Sequence, residues 1–169
     1  MLATHQDAER RYEALRKVAL EVAQENSRPG IRFSLIDGNA LTAARTWEGV
    51  AGRSVDWEWF EGYAAFKFRY PKRFEVALWE NGVLAGLSLG RPTYRGENLR
   101  LDFVDARPSA LGLRTPVFGS IDAAYEIYAQ LLNAHQIRIM NPINTIVRDY
   151  YQRFGYQYVA RKNYLYRDL

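Results

Sequence analysis

The sequence predicts a mixed α/β fold: a central mixed β-sheet with antiparallel hairpin strands first, a β-α-β crossover after them, and helices on both faces. Three observations carry this. Phe74–Trp79 and Val83–Leu89 are strand-like runs flanking Glu80-Asn81-Gly82, and Asn-Gly is the strongest short-range hairpin signal. Ser120–Asn133 places Ile121, Ala124, Tyr125, Tyr128, Leu131 and Leu132 on one stripe, a helix between the strand-like runs Leu99–Val104 and Ile137–Met140. A length of 169 residues with 48% hydrophobic content suits one compact domain, 1–169, able to bury a core.

Taken in order, Asp7–Asn26 spaces Tyr12, Leu15, Val18, Ala19 and Val22 as one apolar helical face, giving an extra N-terminal helix (about 7–26) closed by Pro29-Gly30. Ile31–Ile36 reads as a short strand, stopped by Asp37-Gly38. Ala40–Tyr70 is expected to be helical in pieces. It is dense in aromatics: Trp47, Trp57, Trp59, Phe60, Tyr63, Phe66, Phe68 and Tyr70. Along Leu99–Val104, plain alternation sets Leu99, Leu101 and Phe103 on one face and Asp102 on the other. Ser120 stands as the expected N-cap of the next helix. A helix at Asn144–Phe154, with Ile146, Tyr150 and Phe154 turned to the core, and strands at Tyr156–Ala160 and Tyr164–Tyr166 complete the order αβααβββαβαββ.

Composition excludes several chemistries. There is no cysteine, so disulfides, thiolate metal sites and a cysteine nucleophile are ruled out. The two histidines, His5 and His135, lie far apart and in no metal-ligand spacing, so no metal is expected. The first eleven residues lack the apolar stretch of a signal peptide and no run is long enough to span a membrane, which makes a cytoplasmic location the expectation. A net charge of +4 and a pI near 9.4 suit an anionic ligand, either a nucleotide cofactor or nucleic acid.

Two segments carry candidate chemistry. In Asn144-Thr-Ile-Val-Arg-Asp-Tyr-Tyr151-Gln-Arg-Phe-Gly155-Tyr156, Asn144 reads as an N-cap and Gly155 as a C-terminal cap. Tyr151 lies beside the core positions rather than on one, so its hydroxyl can face a cleft. In Arg114-Thr-Pro-Val117-Phe-Gly119-Ser120, directly before a helix, Gly119 reads as a turn residue and Ser120 as the cap.

With the element order, these segments resemble the GNAT superfamily of N-acetyltransferases over about residues 74–169. The first is similar to that family's N-x-x-A-x-x-L-Y-x-x-x-G-F helix. The second is similar to its R/Q-x-x-G-x-G/A pyrophosphate loop, with Val117 in place of the first glycine and Pro116 without an N–H to donate.

The resemblance implies transfer of an acetyl (acyl) group from acetyl-CoA to a primary amine by direct attack. Arg114 and the amides of Val117, Phe118, Gly119 and Ser120 would hold the pyrophosphate, and Asn144 would contact the cofactor. A backbone amide at a bulge near Phe103–Asp105, with Phe103 and Val104 the cofactor contacts, would polarise the thioester. Tyr151, whose ordinary pKa of about 10 keeps it protonated, would be the general acid. Asp102 or Asp105 would be the base, although each also reads as a surface carboxylate near Arg100 or Arg107. Trp57, Trp59 and Tyr63 would line an acceptor pocket, the plainer reading being that such aromatics cover the sheet.

The acceptor is an amine of a small molecule or a macromolecule, nucleic acid being the less favoured, and the state a monomer or homodimer. Two further readings stay open. One is an inactive GNAT-like module that binds protein or nucleic acid; the other is an enzyme using a different activated acyl carrier.

Overall fold

The computed structural model describes residues 2–53, 55, 57–112 and 116–169. Among these, five α-helices and seven strands follow the expected order: α1 (Leu2–Glu25), β1 (Ile31–Ser34), α2 (Gly38–Arg45), α3 (Trp59–Arg69), β2 (Phe74–Glu80), β3 (Val83–Pro92), β4 (Asn98–Ala106), α4 (Val117–Leu131), β5 (Gln136–Met140), α5 (Thr145–Gln152), β6 (Gln157–Val159) and β7 (Tyr164–Asp168). The strands form one sheet ordered β1-β2-β3-β4-β5-β7-β6, in which β4 and β5 are parallel and every other pair is antiparallel. Asn81 and Gly82 both adopt positive φ at the β2–β3 turn, the conformation that an Asn-Gly hairpin requires.

Apolar residues divide between the two faces. One face packs Leu99, Leu101, Ile137, Ile139 and Leu165 against Ala19 and Leu20 of α1 and Ile121, Tyr125 and Tyr128 of α4. The other packs Ala77, Leu87 and Leu89 against Trp47, Trp59, Tyr63 and Phe66 of the α2–α3 region. α1 is tied to β2 by buried charge. Arg73 donates to Glu9 at 2.8 Å and to Glu75 at 2.9 Å, and the Tyr63 hydroxyl donates to Glu75 at 2.6 Å. Glu9 is only partly buried. Burial opposes its ionisation, but the hydrogen bond and charge of Arg73, with Arg16, outweigh that and hold its carboxyl below the usual range.

Three sequence expectations are corrected. α4 starts at Val117, so Ser120 sits inside its first turn and is not the cap; Pro116 occupies that position. Ile146 is 79% exposed, because α5 rests on the sheet edge through Tyr150, Tyr151 and Phe154 and turns Ile146 away. The third concerns β4. Leu89 pairs with Phe103 but Gly90 pairs with Leu101, so Asp102 is an extra residue, a β-bulge. The bulge reverses alternation beyond it. Leu99 and Leu101 stay with the α1–α4 core, whereas Phe103 joins the α2–α3 cluster on the face that Asp102 occupies.

Candidate active site

β4 and β5 pair only where Asn98–Leu101 meets Gln136–Ile139, after which β4 runs on to Ala106 against β3 alone. The two strands part at Leu101. The Arg107 N–H donates to the Ala85 carbonyl at 2.8 Å, and hydrogen-bonded pairs alternate along an antiparallel ladder. Asp105 and Phe103 therefore also bond to β3, and the N–H and C=O of Val104 point into the gap. The expected bulge near Phe103–Asp105 lies at Asp102 instead. It acts on the same segment, since it sets which backbone groups of Phe103–Asp105 face the opening.

A cavity of about 1270 Å³ fills this gap and continues under α3, lined by Trp57, Phe66, Tyr70, Asp102 to Asp105, Val117, Phe118, Tyr150 and Tyr151 among others. At one end stands the N-terminus of α4, which no side chain caps among the described residues. Pro116 has no N–H and Ser120 can bond back to the Pro116 carbonyl, so the unspent amides are those of Val117, Phe118 and Gly119. The Val117 side chain is 6% exposed and packs on β3, where a Cβ on Gly86 would overlap it. It thus points into the core, away from the amides. Arg114 lies outside the described residues, and Gly119, Ser120 and Asn144 do not line the cavity. The Asn144 side chain caps α5, accepting from the Val147 N–H at 2.9 Å.

Val117→Gly consequently acts on stability. Loss of a buried side chain plus the backbone freedom of glycine costs about 2 kcal/mol, while affinity for a ligand held by the amides is expected to persist. Thermal melts beside ligand titration would check both halves.

Tyr151 reaches the cavity from α5, half-buried, with its ring 4.6 Å from that of Phe118 and 5.7 Å from that of Tyr150. Its hydroxyl has no hydrogen-bond partner among the described residues. Burial, with a smaller contribution from Tyr150, pushes its pKa up to about 12, so it keeps its proton across the physiological range.

The two candidate bases differ. Asp105 Oδ2 accepts from Trp59 Nε1 at 2.9 Å and from Arg53 Nε and Nη2 at 3.1 and 3.0 Å. Burial still raises its pKa, partly offset by those donors. Asp102 Oδ1 accepts from Arg100 at 2.6 Å, whereas its Oδ2 is buried with no hydrogen-bond partner and lies 3.6 Å from Arg91 Nε. Of the two, Asp102 holds the spare acceptor.

Trp57 lines the cavity, stacked on Phe103 at 4.1 Å. Trp59 and Tyr63, expected beside it, do not. Both are core residues, Trp59 being 3% exposed, and their polar atoms are spent on Asp105 and Glu75. Sequence reasoning missed Arg53, Arg91 and Tyr70. The signal available for Arg91 was the β3–β4 hairpin register, which places it opposite Arg100.

A seven-stranded mixed sheet whose central parallel pair splits over a helix N-terminus is the fold of the GNAT acetyltransferases, and the chain has that fold. Ard1 from Thermoplasma volcanium superposes with a TM-score of 0.60 at 12% identity, covering 83% of this chain and 98% of that one. An acetyltransferase from Thermus thermophilus gives 0.60 at 13% identity over 82% and 97%. Arabidopsis thaliana Naa50, in complex with the bisubstrate analogue CoA-Ac-MVNAL, gives 0.55 at 10% identity over 81% and 96%. No protein-family model matches the sequence, and neither does any curated protein.

Proposed function

We propose that this chain is an N-acyltransferase that moves an acetyl or other acyl group from acyl-coenzyme A to a primary amine. The observation that carries the reading is one cavity joining three features: an uncapped α4 N-terminus, the edge of β4 at Val104 beyond its pairing with β5, and the hydroxyl of half-buried Tyr151, which has no hydrogen-bond partner among the described residues. Such a site suits a phosphate-bearing thioester. Val117 is no obstacle, because its side chain packs inward on Gly86 and leaves its amide outward.

When bound, the thioester supplies an activated carbonyl carbon. The amides of Val117 and Phe118, which line the cavity, hold the pyrophosphate at the positive end of α4. The Val104 N–H donates to the carbonyl oxygen as negative charge gathers there while the amine forms the new C–N bond. Asp102 Oδ2 takes the proton that frees the amine lone pair. Tyr151 gives its proton to the departing sulfur as the C–S bond breaks, and regains one from the amine nitrogen. Asp105 holds Trp59 and Arg53 in place and is a positioning residue. Trp57 forms part of the acceptor wall. An ammonium and a thioester thereby become an amide, a thiol and one released proton.

A melt in the presence of acetyl-CoA tests this. At about a hundredfold its dissociation constant, the ligand should stabilise the protein by about 2.7 kcal/mol, a rise of roughly 5–10 °C for a domain of this size. If neither acetyl-CoA nor a longer acyl-CoA moves the midpoint, the chain is a binding module on the same fold.

A further inference from the structure

Arg91, Arg100 and Arg138 stand side by side across three strands. The register pairs Arg91 with Arg100 between β3 and β4, and Arg100 with Arg138 between β4 and β5. All three lie on the sheet face that carries Phe103 and Asp102, opposite the side chains of Leu99, Leu101 and Ile139. Neighbouring like charges on a sheet repel unless something neutralises them. Asp102 is the carboxylate that faces them, bonded to Arg100 and 3.6 Å from Arg91. Arg138 has no carboxylate partner among the described residues, donating to Gln136 at 3.1 Å and lying over the Tyr164 ring at 5.0 Å.

Arg91 is the informative member. Its side chain is 24% exposed, it stacks on the Tyr70 ring with its guanidinium carbon 4.3 Å from the centroid, and it makes no hydrogen bond among the described residues. A half-buried guanidinium whose Nε is paired with Asp102 and whose two Nη groups are unspent among the described residues can meet an oxyanion with two parallel N–H bonds. Arg69, exposed at the end of α3, flanks the same Tyr70 and adds charge at the rim. Arg69, Arg91, Arg100 and Asp102 all line the one cavity.

Resting on the acyltransferase reading above, we infer that the amine acceptor is a small molecule that carries an oxyanion, a carboxylate or a phosphate. Arg91 and Arg69 take the oxyanion, and Asp102 Oδ2 receives the amine. The recessed position of Arg91 favours a small acceptor over a polyanion, whose backbone requires cations that protrude. Charge complementarity within one cavity then selects the substrate and fixes the amine's direction of approach.

The test uses the full chain and two readouts. In the first, acetyl transfer is compared between matched amines: an α-amino acid against its amide, and 2-aminoethyl phosphate against ethanolamine. The oxyanion-bearing partner in at least one pair is expected to have the higher kcat/KM by roughly tenfold to a hundredfold, and the pair showing it identifies carboxylate or phosphate. In Arg91→Gln the gap should shrink to about twofold, through KM rather than kcat. Arg69→Gln, at an exposed position that does not endanger folding, should narrow it in the same direction.

The second readout is stabilisation by inorganic phosphate with coenzyme A held at saturation, which Arg91→Gln should abolish. It needs no turnover. If acetyl-CoA neither binds nor reacts yet the Arg91-dependent phosphate effect persists, the acyltransferase reading fails and the oxyanion site stands. Equal use of charged and neutral amines, with a phosphate response indifferent to Arg91, overturns the inference. So does acetylation confined to oligonucleotide or acidic-peptide acceptors.

Discussion

Replacing Tyr151 by Phe is expected to lower turnover by about a hundredfold or more, the usual contribution of a general acid. The ring is kept, so its packing on Phe118 and Tyr150 survives and the melting midpoint should move by less than about 2 °C. Cofactor affinity should hold, because the amides at the start of α4 are untouched. Since the hydroxyl titrates at about 12, its loss of a proton cannot produce a fall in rate below roughly pH 10. The measurement is single-turnover thiol release across that pH range. An unchanged chemical step removes Tyr151 from the mechanism and makes Tyr150, which lines the same cavity, the next residue to replace.

A second large effect is expected on stability, from Gly90→Ala. Gly90 faces the bulge, pairing with Leu101 where Leu89 has already paired with Phe103. A methyl group there would overlap the Arg100 carbonyl oxygen and press on the fully buried ring of Tyr125 at 2.8 Å. A backbone oxygen in a sheet cannot swing aside as a flexible side chain can. Relief therefore requires the β3–β4 ladder to separate, at a cost of at least about 4 kcal/mol, beyond ordinary overpacking. For a chain of this size that is a drop of roughly 8–16 °C, readable by calorimetry. A midpoint within about 2 °C of the parent would show that β4 can slide past Gly90, and that the bulge is not fixed by the lack of a side chain there.

The order of elements was legible because its signals are local. Asn81-Gly82 imposes a hairpin through its own backbone preferences, and Asn144 announces a helix three residues before the amide it caps. The candidate site was legible in part, since the sequence set Tyr151 beside the core positions of α5, from which it reaches the cavity, whereas the start of α4 was read too late. What escaped depended on distant partners. Leu99, Leu101 and Phe103 alternate as any regular strand would, and nothing in Asp102 itself marks it as the extra residue; the mark is Gly90, on another strand. Trp59 and Tyr63 looked like pocket aromatics because the carboxylates that claim their polar atoms, Asp105 and Glu75, sit 46 and 12 residues away. Ser120 outranked Pro116 as a cap by propensity, yet the helix starts at Val117 with no side-chain cap, and on the proposed function that is a place where capping preference is overridden.

The two bonds of α3 have a consequence for how the cleft behaves in time. Trp59 at its start is fastened to β4 through Asp105, and Tyr63 one turn later is fastened to β2 through Glu75. The α3 wall of the cavity and the strand bearing the Val104 amide are therefore parts of one rigid frame. A substrate entering such a frame has little ordering entropy to overcome, and it is sorted by fit on arrival rather than by closure of a lid. Amide hydrogen exchange in α3 should then be slow in the empty protein and change little when both substrates are present.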